Sequence, residues 1–361
     1  MGKRITFIIS SLSGGGAEGV CVNLANGLSE RNWQVTLVVL HLNNAVRQND
    51  LKPEIQLIVL GKNHARTVPI ALAKFLRKHK PTDVLVFNHQ LAVLLVLLRS
   101  FFSWNFKITA RNISTLSHKK IAETSFWHKY IVQGLTSLFY GKVDRVIAQS
   151  QGMANDLFFS YRVPKDKIVV IYNPVNPAIE KHSLPNHIVN KDYLLCVGRL
   201  EPVKAFHQAI LAFSMISPDH PALRLKIVGK GSLESDLKKQ AATLGVIEKI
   251  DFEGYQTNVI PYYIGARATI LTSLYEGFPN VLVESIALGT PVVAFNCPSG
   301  PSEIVVDGLN GFLVEQYNLE QLVQCINIVL NTNWDPCVVS KTASCFSSNK
   351  IISSYESLLI K

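Results

Sequence analysis

The sequence predicts an α/β chain of two doubly wound, parallel-sheet domains in tandem. Three observations predict it. The candidate strands are apolar throughout rather than alternating, as strands covered on both faces must be. Segments of helical spacing separate them. The alternating series stops at a polar, proline-containing stretch and then starts again. At 361 residues the chain is also long for one core, so two domains are expected.

The first strand is expected over residues 5–12, with glycines immediately after it. Residues 17–30 have helical spacing, with Val20, Leu24, Ala25 and Leu28 on one face. Strands follow at 34–40, 55–60, 83–87, 107–110, 144–149 and 168–173. The apolar run 91–98 is too short to span a bilayer and reads as a buried helix. Pro174, Pro177 and the polar residues 178–191, with Pro185, mark the junction. The second series has strands at 193–197, 225–228, 250–252, 268–273 and 291–294. Residues 331–349 are rich in Asn, Ser and Thr and read as loop, and 351–359 as a final helix. The expected domains are 1–178 and 179–345, with 346–361 as a C-terminal helix.

The composition, 48% hydrophobic and 17% charged, suits buried sheets and excludes disorder. No leader is expected, since Lys3-Arg4 runs straight into a strand. The six cysteines show no C-x-x-C pair and no metal spacing, as for reduced thiols of the cytoplasm. Net charge is +10, and it is lopsided. Residues 1–180 hold 22 Lys and Arg against 10 Asp and Glu; the remainder hold 14 against 16. A basic front half attracts polyanions. No nucleic-acid motif accompanies it, so nucleic acid is not expected, and an anionic membrane surface is the partner considered. Residues 119–140 mix Lys119, Lys120 and Lys129 with Phe126, Trp127 and Tyr130, a composition that can lie on a membrane or pack on the sheet.

The most informative stretch is Glu276-Gly-Phe-Pro-Asn-Val-Leu-Val-Glu284. It follows a strand, so Glu276 is expected on a loop at the strand's carboxyl end and Glu284 one turn into the next helix, with Asn280 as N-cap. Ligands of open α/β sheets bind at that edge. Two carboxylates, the backbone N–H groups around Gly277 to Asn280 and a helix N-terminus can grip hydroxyls and phosphate oxygens.

Residues 14–19, Gly-Gly-Gly-Ala-Glu-Gly, satisfy G-x-G-x-x-G between a strand and a helix. An NAD(P)-dependent oxidoreductase is therefore an alternative. That class places an acid at the end of its second strand; here the strand ends Val39-Leu-His-Leu-Asn43, and Arg47 is available but distant. A non-catalytic nucleotide-sugar-binding protein is a further alternative.

Five ordered segments carry a resemblance: residues 13–18, 197–204, 226–234, 276–284 and the block 298–313. Together they resemble the family-4 retaining glycosyltransferases of GT-B fold, of the kind acting in bacterial surface polysaccharide synthesis. The resemblance implies two Rossmann-like domains facing across a cleft, an N-terminal acceptor domain and a C-terminal donor domain, with the last helix packing back on the first. It implies transfer of a hexosyl or N-acetylhexosaminyl group from a nucleotide-diphospho-sugar, UDP favoured, to a saccharide or lipid-linked saccharide, as in lipopolysaccharide synthesis. Arg199 and Lys204 would hold the diphosphate, Glu276 the donor sugar and Glu284 the ribose. Gly15, Gly16, Gly229, Gly277, Phe278, Pro279 and Asn280 would line the donor site. His118 is the further catalytic candidate, and Glu18, Asn88, Arg111 and Asn112 are candidates for acceptor or sugar contact; which of Arg111, Asn112 and His118 faces the site stays open. Val203 and Ala205 stand where the family often has Glu and Gly. No metal and no cofactor is expected. The implied location is cytoplasmic, peripheral on the inner face of the membrane.

Overall fold

The computed structural model describes residues 2–62, 67–112, 133–182, 184 and 192–360. The chain forms two units, one of residues 1–176 and 348–361, the other of residues 177–347.

Among the described residues the first unit holds seven parallel strands: β1 Arg4–Ile9, β2 Gln34–Val39, β3 Gln56–Val59, β4 Asp83–Val86, β5 Lys107–Arg111, β6 Arg145–Ala148 and β7 Ile168–Val170. Their order is β3-β2-β1-β4-β5-β6-β7, so the order reverses between β1 and β4. Helices α1 Gly16–Ser29, α2 Pro69–His79, α3 His89–Phe101, α4 Gln133–Phe139 and α5 Gln151–Tyr161 connect them. Apolar strand residues meet helices on both faces: Ile8, Val86 and Ile108 on one, Phe7, Leu37 and Leu85 on the other. No helix among the described residues is long and apolar enough to cross a membrane.

The second unit holds β8 Tyr193–Val197, β9 Arg224–Val228, β10 Ile250–Gly254, β11 Ala266–Leu271, β12 Val292–Phe295 and β13 Gly311–Val314. Their order is β10-β9-β8-β11-β12-β13, all pairs parallel, and the reversal lies between β8 and β11. Its helices are α6 Pro177–Glu180, α7 Phe206–Ile216, α8 Glu234–Thr243, α9 Ile260–Gly265, α10 Asn280–Ala287, α11 Pro301–Ile304, α12 Leu319–Asn331 and α13 Pro336–Lys341.

Two local expectations need correction. Residues 331–349 are not loop: they contain α13 and a 3-10 turn at Thr342–Phe346. Asp335 caps α13 by accepting from the Cys337 N–H, Pro336 occupies its first turn, and Val339 and Phe346 are buried. Polar composition hid these anchors. Asn280 is not the N-cap of α10; Pro279 is, and Asn280 is the first helical residue.

The last helix, α14 Ser348–Ile360, belongs to the first unit. Its Glu356 carboxylate accepts from Lys3 Nζ at 2.8 Å, Trp33 Nε1 at 3.0 Å and Arg31 Nη1 at 3.2 Å. These donors lower the Glu356 carboxyl to about 2, the Lys3 and Trp33 bonds leading. Because the folded value lies below the unfolded one, this stabilisation is complete above about pH 4.5 and disappears as pH falls toward 2. Glu356→Gln is therefore expected to flatten the fall of melting temperature over that interval, measured against the wild type in the same buffers.

Candidate active site

In the second unit the switch point brings the carboxyl ends of β8 and β11 together. Three loops meet there. After β8 the chain runs through Gly198 and Arg199 to a 3-10 turn, Pro202–Lys204. Thr272 Oγ1 donates to the Lys204 and Ala205 carbonyls, both at 3.0 Å, and the Leu274 N–H donates to the Val203 carbonyl at 2.8 Å. The turn is thus stitched to the end of β11. Lys204 Nζ consequently meets Glu276 Oε1 at 2.6 Å, with side chains only 17% and 13% exposed. An ion pair this sheltered interacts far more strongly than an exposed one. Arg199, five residues before Lys204, is exposed. The Glu201 carboxyl is lowered chiefly by the Ser232 backbone N–H and hydroxyl, and slightly by Arg199.

Gly229 lies at the end of β9 with φ 143°, and a Cβ there would sit 1.8 Å from the Gly198 carbonyl oxygen. Only glycine permits this contact, which sets the β8 loop against β9.

The loop after β12 clamps the Glu276 loop. The Glu276 N–H donates to the Pro298 carbonyl at 3.3 Å, and Ser299 Oγ donates to the Gly277 carbonyl at 3.1 Å. Gly300 takes φ 102°, and a Cβ there would lie 2.5 Å from Pro279 Cδ. Phe278 turns its ring inward onto Phe346, centroids 5.6 Å apart, so its side chain is core. Cys297 is buried beside the ion pair; burial pushes its thiol up to about 12, with Glu276 adding to the shift and Lys204 opposing it.

Glu284, five residues into α10, accepts a 2.9 Å hydrogen bond from the Tyr263 hydroxyl. Tyr263 is fully buried, and burial, then Glu284, holds its hydroxyl well above the usual range. Thr290 Oγ1 donates to the Tyr263 carbonyl at 2.7 Å, and Ser285 Oγ donates to Thr269 Oγ1 and the Thr290 carbonyl. This network fixes α9 against α10 and aims the Glu284 carboxylate. Nothing in the spacing of the sequence singled out Tyr263, Thr290 or Ser299.

In the first unit the candidate residues also gather at the carboxyl edge, but several are occupied internally. Gly15 is the N-cap of α1 and Gly16 its first residue, and Glu18 folds back over the loop to accept from Ser13 Oγ at 3.2 Å. Asn88 caps α3, accepting from the Gln90 and Leu91 N–H groups, and donates to Ser10 Oγ at 3.3 Å. Arg111, one of the three residues whose facing the sequence leaves open, turns inward. It is 1% exposed, its Nε donates to the Tyr355 hydroxyl at 2.9 Å, Nη2 donates to Asn173 Oδ1, and Phe87 lies under the guanidinium at 5.4 Å. The last residue of β5 points at α14, which covers that face. Asn112 is also buried, its carbonyl accepting from Gln149 Nε2, and both its side-chain polar atoms lack a partner among the described residues. Arg47, distant in sequence, folds over the glycine loop: its guanidinium is 3.8 Å from where a Gly19 Cβ would be. His118 and the lysines at 119, 120 and 129 lie outside the described residues. Among the described residues, no group of three or more His, Cys, Asp and Glu could hold a metal ion.

Two family models match the chain: Glycosyl transferases group 1 over residues 179–344 and Glycosyltransferase Family 4 over residues 14–179. The chain is 29% identical to an uncharacterised glycosyltransferase of Haemophilus influenzae over 91% of each chain. It is 27% identical, over 91% of this chain and 90% of the other, to the N-acetylgalactosamine-N,N'-diacetylbacillosaminyl-diphospho-undecaprenol 4-alpha-N-acetylgalactosaminyltransferase of Campylobacter jejuni. Among solved structures, Anabaena HepE in complex with UDP-glucose is similar with a TM-score of 0.80 at 21% identity, covering 99% of each chain, a likeness of fold. These matches favour glycosyl transfer over the oxidoreductase alternative.

Proposed function

Since the chain belongs to the glycosyltransferases, its two halves to family 4 and group 1 and its fold to GT-B, we propose that it is a retaining enzyme that moves a sugar from a nucleotide-diphospho-sugar to a saccharide or lipid-linked saccharide. A UDP-sugar is the favoured donor. The observation that carries this reading is the sheltered Lys204–Glu276 pair, 2.6 Å apart, at the switch point of the second sheet. The named activity of the Campylobacter relative, on an undecaprenol-linked saccharide, and the UDP-glucose in HepE support the acceptor and donor classes. An amylovoran glycosyltransferase of Erwinia amylovora, 25% identical over 91% of this chain, supports a place in surface polysaccharide synthesis.

In this reading the bond from the anomeric carbon to the diphosphate oxygen breaks, and one to the acceptor oxygen forms on the same face. The diphosphate leaves with the electron pair and receives the acceptor proton. Lys204 and Arg199 stabilise the negative charge that develops on it. Glu276 holds donor-sugar hydroxyls and Glu284 the ribose. The work falls to side-chain cations rather than a divalent ion, so activity is expected to survive EDTA. Transfer takes place on the inner face of the membrane, to which the basic first unit binds peripherally. The test is nucleoside diphosphate release from a panel of nucleotide-sugars, with the product's anomeric configuration read by NMR. Absence of release with every donor and saccharide acceptor, or an inverted product, overturns the reading.

Tyr263→Phe is expected to weaken donor binding roughly tenfold, about 1.5 kcal/mol, by releasing the Glu284 carboxylate from its buried donor. The measurement is donor KM, which should rise while kcat changes little.

A further inference from the structure

We propose that the carboxyl ends of β12 and β13 hold a subsite for an uncharged pyranose ring of the saccharide acceptor, with Tyr317 as its platform; this rests on the glycosyltransferase reading above. A tyrosine stands there in a place suited to glycine. The Asn318 N–H donates to the Glu315 carbonyl at 3.0 Å, closing the turn 315–318 between β13 and α12. Tyr317 is the third residue of that turn and takes φ 68°. Turns with positive φ at this position favour glycine, and a bulky side chain there strains the backbone. The turn is pinned to α12. The Glu315 N–H donates to Gln321 Oε1 at 2.7 Å, and Asn318 Oδ1 caps the helix by accepting from the Gln321 N–H at 3.0 Å.

The fold draws no packing from the ring that causes this strain. Tyr317 is 61% exposed, belongs to no apolar cluster, and makes no hydrogen bond or ring contact among the described residues. Strain kept for an exposed aromatic that packs on nothing points to a ligand.

Tyr317 borders a hollow of about 470 Å³, lined with it by Asn296, Leu313, Val314, Glu315 and Gln316. That volume is in the range of small-ligand sites. The tyrosine ring can receive the C–H face of a sugar, the two amides can give and take hydrogen bonds with its hydroxyls, and the Glu315 carboxylate can accept from them. The same carboxylate repels an acidic sugar, and no cation is among these lining residues to hold a phosphate.

The hollow is fastened to the Glu276 loop. Gln316 Nε2 donates to the Leu274 carbonyl at 2.7 Å, and Asn296 stands two residues before Pro298, whose carbonyl accepts from the Glu276 N–H. Along the sheet order β8-β11-β12-β13 the Lys204 turn comes first, then the Glu276 loop, then the hollow. Neighbouring strands lie about 4.8 Å apart, close to the width of one sugar ring. With the diphosphate at Lys204 and the transferred sugar at Glu276, the next ring in line belongs to the acceptor.

The test is saturation-transfer NMR of the full chain with UDP present, using the methyl glycosides of glucose, galactose, N-acetylglucosamine and glucuronic acid as probes. At least one uncharged glycoside is expected to bind the wild type and Tyr317→Phe, and the glucuronide to bind more weakly. Tyr317→Gly should lower that affinity about fivefold and, by relieving the backbone, raise the melting temperature by roughly 2–4 °C. A merely structural tyrosine would not combine these two effects. In the transfer assay the same variant should raise the acceptor KM and leave the donor KM and kcat unchanged. A Tyr317→Gly protein that binds every glycoside as the wild type does overturns the subsite, as does a wild type that binds none of the uncharged glycosides. A raised donor KM would assign the hollow to the transferred sugar and overturn the acceptor assignment. Glycoside binding that depends on Tyr317 in a protein that releases no nucleoside diphosphate would sustain the saccharide subsite while the transferase reading falls.

Discussion

Lys204→Ala is expected to lower kcat by about a hundred- to a thousand-fold, the cost of about 2.7–4 kcal/mol attached to removing one preorganised charge from a transition state. The reasoning is local. The 3-10 turn and the two Thr272 bonds leave the ammonium little freedom, so it is already placed when a diphosphate arrives. Without ligand its charge is held by Glu276, and a departing diphosphate competes for the same ammonium. Glu276→Ala should also remove most activity, by loss of donor-sugar contacts and of the residue that holds Lys204 in place. Because the two side chains touch, their effects should not add: the double variant is expected to lose less than the sum of the single losses. Kinetics of nucleoside diphosphate release measure all three. A Lys204→Ala enzyme as fast as the wild type ends the leaving-group assignment.

Arg111→Ala is expected to cost about 3–5 kcal/mol of stability, more than any other substitution considered for the first unit. The guanidinium is buried, and its removal leaves a cavity over Phe87 and strips the Tyr355 hydroxyl and the Asn173 amide of a charged partner. Tyr355 lies on α14, so the last helix should be loosened with it. Chemical denaturation measures the loss, and Tyr355→Phe should reproduce a smaller part of it. An acceptor contact predicts the opposite pattern: unchanged stability and a raised acceptor KM. That outcome would return Arg111 to the surface of the argument.

The strands were legible because parallel strands buried on both faces need continuous apolar runs, and residues 5–12, 34–40 and 193–197 supply them without help from their neighbours in space. The Glu276 loop was legible for a related reason: a strand followed by glycine and proline must turn at the sheet edge. The region 331–349 was misread because one cap, Asp335, and two apolar anchors, Val339 and Phe346, outweigh a polar average. The facing of Arg111 stayed open because a strand-end arginine can turn either way, and the element that holds it inward, α14, begins more than two hundred residues later.

By itself the sequence determined two layered α/β units, the sheet edge at which their polar residues gather, and the presence of acidic and basic groups suited to a sugar diphosphate. Only the tertiary structure decided which of those groups meet. Lys204 and Glu276 are 72 positions apart, and Tyr263 and Glu284 are 21. Hydrophobic patterning is local and can be read along the chain. Pairing depends on strand order and on a few backbone contacts, such as Gly229 against Gly198 and Ser299 against Gly277, which no local pattern encodes.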